Sequence, residues 1–311
     1  VVIAYLLDGA IEVLKRYAIP RFAAVLLVFC IFIFLLLLVL VILAPLLFKQ
    51  LTQFALEIPG MLAAGQGALL LLPEKYPTLL SEQTIVELLN SLRNELTQLS
   101  RQVLSFSLSS VFNLIAFIVY LVVVPLLVFF FLKDKALILD WFGNFLPRDR
   151  ELVIQIWREV NAKIAGYVRG KFVEILTVWA VTFVTFLAFG LRYSMLLSFL
   201  VGISVLIPYV GAAVVTLPVA AIAYVQWGME ATFVYVMLAY AIIQFLDGNL
   251  LVPLLFAEMV NLHPAAIITA VLFFGAIWGV WGVFFAIPLA TLVNAVINAW
   301  PRQHGQMVPP Q

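Results

Sequence analysis

Between Gln244 and Pro253 the chain reads QFLDGNLLVP, which sets a carboxylate, two amides and a proline inside an otherwise apolar run from Ala231 to Phe256. Asp247 is the only acid well inside a predicted span, where an ionisable side chain costs roughly 2.5–3.5 kcal/mol on insertion scales. It should therefore face protein or water. Gln244 and Gly248 lie one helical turn apart, Asn249 follows, and Pro253 frees a backbone carbonyl. Such a cluster can bind a cation, carry a proton or hydrogen-bond a polar solute; the competing reading is a structural carboxylate bonded to a neighbouring helix. Glu174, one turn inside the run Phe172 to Phe189, has Lys171 and Arg169 within reach and reads as a structural partner of one of them. His263 stands before a proline and His304 in the tail, neither with ligand company. No nucleotide-binding glycine loop, metal-ligand spacing or nucleophile constellation accompanies them, so no catalytic residue, metal or cofactor is expected.

The elements that must position this cluster are set by composition. Hydrophobic residues make up 65% and charged residues 11% of the chain, against roughly 45–50% and 25% in soluble domains. The predicted fold class is all-α: a polytopic helical membrane protein with broken or re-entrant helices and an amphipathic helical arm. A barrel would need short alternating strands instead. A net charge of +1 gives nucleic acid no footprint. The single cysteine, Cys30, excludes an internal disulfide and reads as a small buried apolar side chain in a lipid-facing run.

In chain order, residues 1–44 read as N-terminal spans. Val1 to Leu7 is the tail of one, with at least one more expected upstream, and Lys15, Arg16 and Arg21 mark the next loop as cytoplasmic. Phe22 to Ala44 is then an outward-going span. Residues 45–106 read as a periplasmic amphipathic arm whose first helix should end near Ile58, ahead of Pro59 and Gly60. Its second helix carries Ile85, Leu89, Leu92, Leu96, Leu99 and Val103 along a narrow apolar seam, suited either to covering the first helix or to packing between subunits. Residues 107–132 form another span. Residues 133–171 hold eight Lys or Arg against five acids, which makes the loop cytoplasmic. Within it, Ala136 to Leu146 is predicted to lie in the headgroup plane, with Leu137, Ile138, Trp141, Phe142 and Phe145 on its apolar face.

Residues 172–300 form the predicted transport core, and 301–311 a frayed tail. The core holds two overlong runs. Ser194 to Gln226, 33 residues interrupted by Gly202, Pro208, Gly211 and Pro218, would reach about 50 Å as one helix, against a hydrocarbon core of about 30 Å. His263 to Ala299, 37 residues, is interrupted by Gly275, Gly279, Gly282 and Pro288. Each follows an ordinary span, so 172–226 and 231–299 read as a repeat. If both runs are re-entrant hairpins the halves are inverted, with a site at the midplane between them. If both are kinked single crossings, only the loops change sides.

The stretch VGISVLIPYVGAAVVTLPVA resembles the signature of the autoinducer-2 exporter family, whose members carry VG-x-x-x-x-IPYVG followed by a later proline. QFLDGNLLVPLL resembles that family's Q-x-x-(E/D)-x-N-x-x-x-P segment, and VPLLVFFFLKDK, YVRGK and GVWGVFFAIPL fit it too. The resemblance runs along most of the chain and is strongest to a permease branch in Gram-negative bacteria. It implies a multi-pass protein of the bacterial inner membrane that assembles as a homo-oligomer, a pentamer in the family, with a projecting arm. Carried over by position, Pro208, Tyr209 and Gly211 shape the broken element, and Gln244, Asp247 and Asn249 line the substrate or ion pathway. Many members have Glu where this chain has Asp247, which keeps the charge and shortens its reach.

The function these features point to is a secondary transporter of a small polar solute, coupled to protons or sodium, with the lipid bilayer, that solute or a monovalent cation, and further copies of the chain as its partners. A sodium/proton antiporter is one alternative, and a non-transporting membrane scaffold another. Asp247 distinguishes the transporter from the scaffold.

Overall fold

The computed structural model describes residues 2–70, 91, 94, 98, 110–144, 151–208, 210–256 and 263–299. Among these every regular element is helical. The chain opens with α1 (Val2–Arg16), whose last turn carries Lys15 and Arg16 against the negative end of the helix dipole. Ala18, at φ 60°, and then Pro20 turn the chain into α2 (Arg21–Leu38). A short π segment, π1 (Val39–Leu43), passes directly into α3 (Ala44–Leu70). Then come α4 (Ser110–Lys133), the short α5 (Lys135–Gly143) and the long α6 (Glu151–Phe189). The core continues with α7 (Ser194–Ser204), α8 (Val210–Trp227), α9 (Ala231–Leu246), π2 (Asp247–Leu251), α10 (Val252–Phe256) and α11 (Pro264–Ala299).

Six helical stretches are long and apolar enough to cross a membrane: Arg21–Ile58, Ala116–Lys133, Val160–Phe189, Val210–Trp227, Ala231–Phe256 and Ala265–Asn294. Most of their large apolar side chains point outward, as lipid-facing surface requires. Cys30 on α2 is exposed among them, so its place is the lipid face and not a buried gap. The first stretch, 38 residues, would reach about 57 Å, so its end stands clear of the hydrocarbon.

Several boundaries differ from the sequence reading. Helix α1 runs on past Leu7 to Arg16, and its Asp8 and Tyr5 find partners, Lys135 Nζ at 2.8 Å and Asn161 Oδ1 at 2.6 Å. Helix α3 does not end at Ile58 but continues through Pro59 and Gly60 to Leu70. A proline removes one helical hydrogen bond and crowds one carbonyl, and here the helix carries on with the strong formers Met61, Leu62, Ala63 and Ala64. No break separates a loop ending at Lys171 from a span starting at Phe172: α6 is continuous, and its apolar stretch already opens at Val160. The arm seam from Ile85 to Val103, together with Phe145 and Leu146, lies outside the described residues.

Both π segments stand just ahead of a proline, π1 before Pro45 and π2 before Pro253. A proline ring crowds the carbonyl four residues back, here Val41 and Asn249. Widening that turn relieves the crowding, and the amides of Ala44 and Val252 then bond five residues back to Val39 and Asp247.

The first overlong run folds back on itself. Helix α7 stops at Ser204, the chain turns through Pro208, and α8 begins at Val210. A Cβ on Gly211 would lie 1.8 Å from the Ser204 carbonyl oxygen, whereas seven residues along a straight helix span about 10 Å. Only glycine fits. The two ends of the run also meet: Gln226 donates from Nε2 to the Gly190 carbonyl at 2.8 Å and accepts from the Arg192 amide at 2.8 Å. The run is thus a hairpin and not a kinked rod. Leu197 and Val201 of α7 pack with Val219, Ile222 and Ala223 of α8, against Val178 and Phe186 of α6 and Val236 and Tyr240 of α9.

The second run breaks at Gly279, which sits at φ 61° and ψ −138° within α11, a conformation open to glycine. Beyond it a Cβ on Gly282 would lie 1.8 Å from the Phe274 carbonyl oxygen, a pair about 12 Å apart in a straight helix. This run doubles back as well. Two broken runs thus share one construction, a turn closed by a glycine lying on a backbone carbonyl.

Candidate functional site

Near the middle of the apolar part of α6, Lys171 and Glu174 form a buried ion pair. Lys171 Nζ donates to Glu174 Oε1 at 3.0 Å and Oε2 at 2.8 Å, and the two residues are only 5% and 1% exposed. They sit on one helical face with Val178 and Thr182, the face that turns into the protein. The ammonium also lies 5.6 Å from the centroid of the Phe256 ring, within cation–π range. Gly170 lets that ring approach, since a Cβ there would stand 2.7 Å from it.

Asp247 enters the same neighbourhood from π2. The Lys171 charge acts on both Asp247 and Glu174, and the Asp247 charge acts on Glu174. Asp247 Oδ1 is buried with no hydrogen-bond partner among the described residues, although a buried acceptor normally finds one. With all three ionised, Lys171, Glu174 and Asp247 would carry one negative charge in excess. One further positive charge, a proton or a small cation, would neutralise the set.

Gln244 looks the other way. Its Nε2 donates to the Tyr240 hydroxyl at 3.0 Å, and that hydroxyl lies 3.1 Å from Thr216 Oγ1 and 3.4 Å from the Ala212 carbonyl. Thr216 itself donates to Ala212 at 2.7 Å. This relay ties α9 to α8 about one turn beyond Gly211. The α9–π2 joint therefore bonds to the hairpin through Gln244 and faces the buried pair through Asp247.

The structure does not bring every predicted lining residue into this arrangement. Asn249 is exposed, and its Nδ2 donates to its own helix at the Phe245 carbonyl, 2.9 Å away. Pro208 is half-buried at the hairpin turn, its carbonyl accepting from the Val210 amide at 2.7 Å. Tyr209 lies outside the described residues. His263 uses Nδ1 to accept the Ala265 amide at 3.2 Å, a capping role at the start of α11. Glu174 pairs with Lys171 as its spacing predicts. Sequence reasoning missed Tyr240 and Thr216, although the first stands one turn before Gln244 and the second is the one threonine in an apolar helix.

A family model described as AI-2E family transporter matches residues 1–302. The chain is 46% identical over 301 residues to "Putative permease PerM" of Escherichia coli (strain K12), covering 97% of this chain and 85% of that protein. It is 27% identical over 299 residues to "Putative transport protein YueF" of Bacillus subtilis (strain 168), covering 94% and 80%. With the matched model spanning the hairpins, the buried pair and π2 alike, the chain belongs to the AI-2E transporter family.

Proposed function

We propose that this multi-pass membrane protein is a secondary transporter that moves a small polar solute outward across the bacterial inner membrane through the core formed by residues 172–300. The observation that carries the reading is the buried, unpartnered Oδ1 of Asp247 beside the Lys171–Glu174 pair, on a π segment between two hairpins. An unsatisfied carboxylate at membrane depth is costly unless something visits it, and π segments recur at functional sites. In this reading the visitor is a proton or sodium ion. It removes the excess negative charge and lets π2 shift against α6, while Gln244, Tyr240 and Thr216 pass the shift to the first hairpin. The two hairpins form the two halves of an inverted repeat, and copies of the chain assemble as a homo-oligomer through the arm.

A second reading, sodium/proton antiport without an organic solute, is favoured by the single excess charge of the cluster. Flux measured in proteoliposomes separates the two. With wild-type protein, solute efflux driven by a proton or sodium gradient supports the first reading, and sodium-dependent proton movement alone supports the second. Asp247→Asn should reduce either flux by at least about tenfold, the loss of one essential charged contact. Unchanged flux would remove Asp247 from the mechanism.

A further inference from the structure

At the foot of the first hairpin, well away from Asp247, an open cleft of about 490 Å³ is lined by Gln50, Gln53, Leu56 and Glu57 of α3 and by Arg192 and Tyr193 of the α6–α7 turn. Its volume falls within the ~300–1,000 Å³ range of small-molecule sites. Opposite charges face it. Among the described residues neither Glu57 nor Arg192 takes part in an ion pair, although both act on Tyr193 between them.

The backbone around the cleft is held in place. Tyr193 adopts φ 56° and ψ 27°, a left-handed conformation uncommon for a side-chain-bearing residue, immediately ahead of α7. Three contacts fix it there. Tyr193 Oη donates to Glu57 Oε1 at 2.7 Å, the Leu196 amide donates to Gln50 Oε1 at 2.8 Å, and the Arg192 amide donates to Gln226 Oε1 at 2.8 Å. Phe54 adds an edge contact to the Tyr193 ring, with centroids 6.1 Å apart. Strain over-determined in this way is characteristic of ligand clamps. Glu57 keeps its second oxygen for another donor, Gln53 is exposed, and the Arg192 guanidinium projects from the tightly held turn.

We infer that this cleft binds a small zwitterion, its primary ammonium at Glu57 and its anionic group at Arg192, with Gln50 and Gln53 hydrogen-bonding the atoms between. A ligand carrying both charges bridges two side chains that do not reach one another, and the fixed turn lowers the ordering cost of binding. Two sources share this chemistry. One is a free amino acid. The other is the headgroup of phosphatidylethanolamine, because Gln50 lies about 44 Å along the helix from Arg21, close to the full thickness of a bilayer with its headgroups.

The full-length chain in detergent is titrated by calorimetry with L-serine. In parallel, the chain in nanodiscs of phosphatidylethanolamine or of phosphatidylcholine, which lacks ammonium hydrogens, is assayed for retained lipid by native mass spectrometry. Binding of L-serine identifies a solute site, and selective retention of phosphatidylethanolamine a lipid site. In either case Glu57→Gln and Arg192→Gln should each weaken binding about ten- to hundredfold, as loss of a charge-assisted contact does. Asp247→Asn should leave it unchanged, so this site and the transport reading fail separately. Glu57→Gln is near-isosteric and Arg192→Gln shortens an exposed side chain, and circular dichroism checks the folding of both. Binding of neither probe, or affinities in both variants equal to wild type, overturns the inference.

Discussion

Lys171 and Glu174 show how two ionised side chains come to lie inside an apolar helix. Separately, each would be expensive at that depth; hydrogen-bonded at 2.8 and 3.0 Å, they enter as a neutral pair. Lys171→Met should therefore destabilise the protein by about 3–5 kcal/mol, because it strands a buried carboxylate. The double variant Lys171→Met, Glu174→Gln should recover most of that loss in thermal unfolding while flux stays low. A double variant that transports normally would reduce the pair to a packing device. At the other end of the core, burial first, and then the hydrogen bond to Glu57, push the Tyr193 phenol from 10.0 up to about 12. The folded state thus holds this proton more tightly than the unfolded chain does. The stability linked to it is intact below pH 10.0 and is lost as the pH rises through about 12. In an ultraviolet titration the tyrosinate signal removed by Tyr193→Phe should be the part that appears near pH 12.

At the scale of elements, one construction appears twice. Gly211 lies on the Ser204 carbonyl and Gly282 on the Phe274 carbonyl, and in each place a Cβ would stand 1.8 Å from the oxygen. Backbone cannot yield as a flexible side chain can. Gly211→Ala and Gly282→Ala should each cost at least about 1–3 kcal/mol, the range of overpacking. Gly248→Ala, at a glycine with nothing within 4 Å, should be nearly neutral. Chemical unfolding of the three variants provides the comparison, and equal losses would sink the hairpin-closure account. The π segments belong to this scale too. Asp247 lies within the electrostatic reach of Lys171 while Asn249, two residues on and therefore on the opposite side of the helix, is exposed.

For the whole molecule, the meeting of Gln226 with Gly190 and Arg192 fixes both feet of the first hairpin at one end. The basic segment that includes Lys133 and Lys135 lies toward the opposite end, which the positive-inside rule predicts to be the cytoplasmic one. Met229, 77% exposed just beyond α8, should therefore be reached only from the periplasm. In a Cys30→Ser background, Met229→Cys should react with an impermeant maleimide added outside intact cells. Labelling solely from the cytoplasmic side would contradict this topology.

What the sequence determined by itself was whatever depends on local sums: a membrane protein from its hydropathy, breaks in two overlong runs from Pro208 and the clustered glycines, and one carboxylate, Asp247, that could not face lipid. Partnership was legible only in part. The spacing offered Glu174 either Lys171 or Arg169, and packing decided for Lys171, buried with it deep within α6 and not at the edge of a basic loop. Asn249 reads as lining because it shares a short polar stretch with Gln244 and Asp247, and only the structure shows it exposed and bonded to its own helix. The Gly211–Ser204 and Gly282–Phe274 contacts decided between hairpins and kinked crossings, since a break in a sequence states where a helix stops and not the direction in which the chain leaves. The cluster QFLDGNLLVP was thus legible as a polar stretch in an apolar run, and the tertiary structure divided it: Gln244 to the Tyr240 hydroxyl, Asp247 toward the buried pair, Asn249 to the outer face.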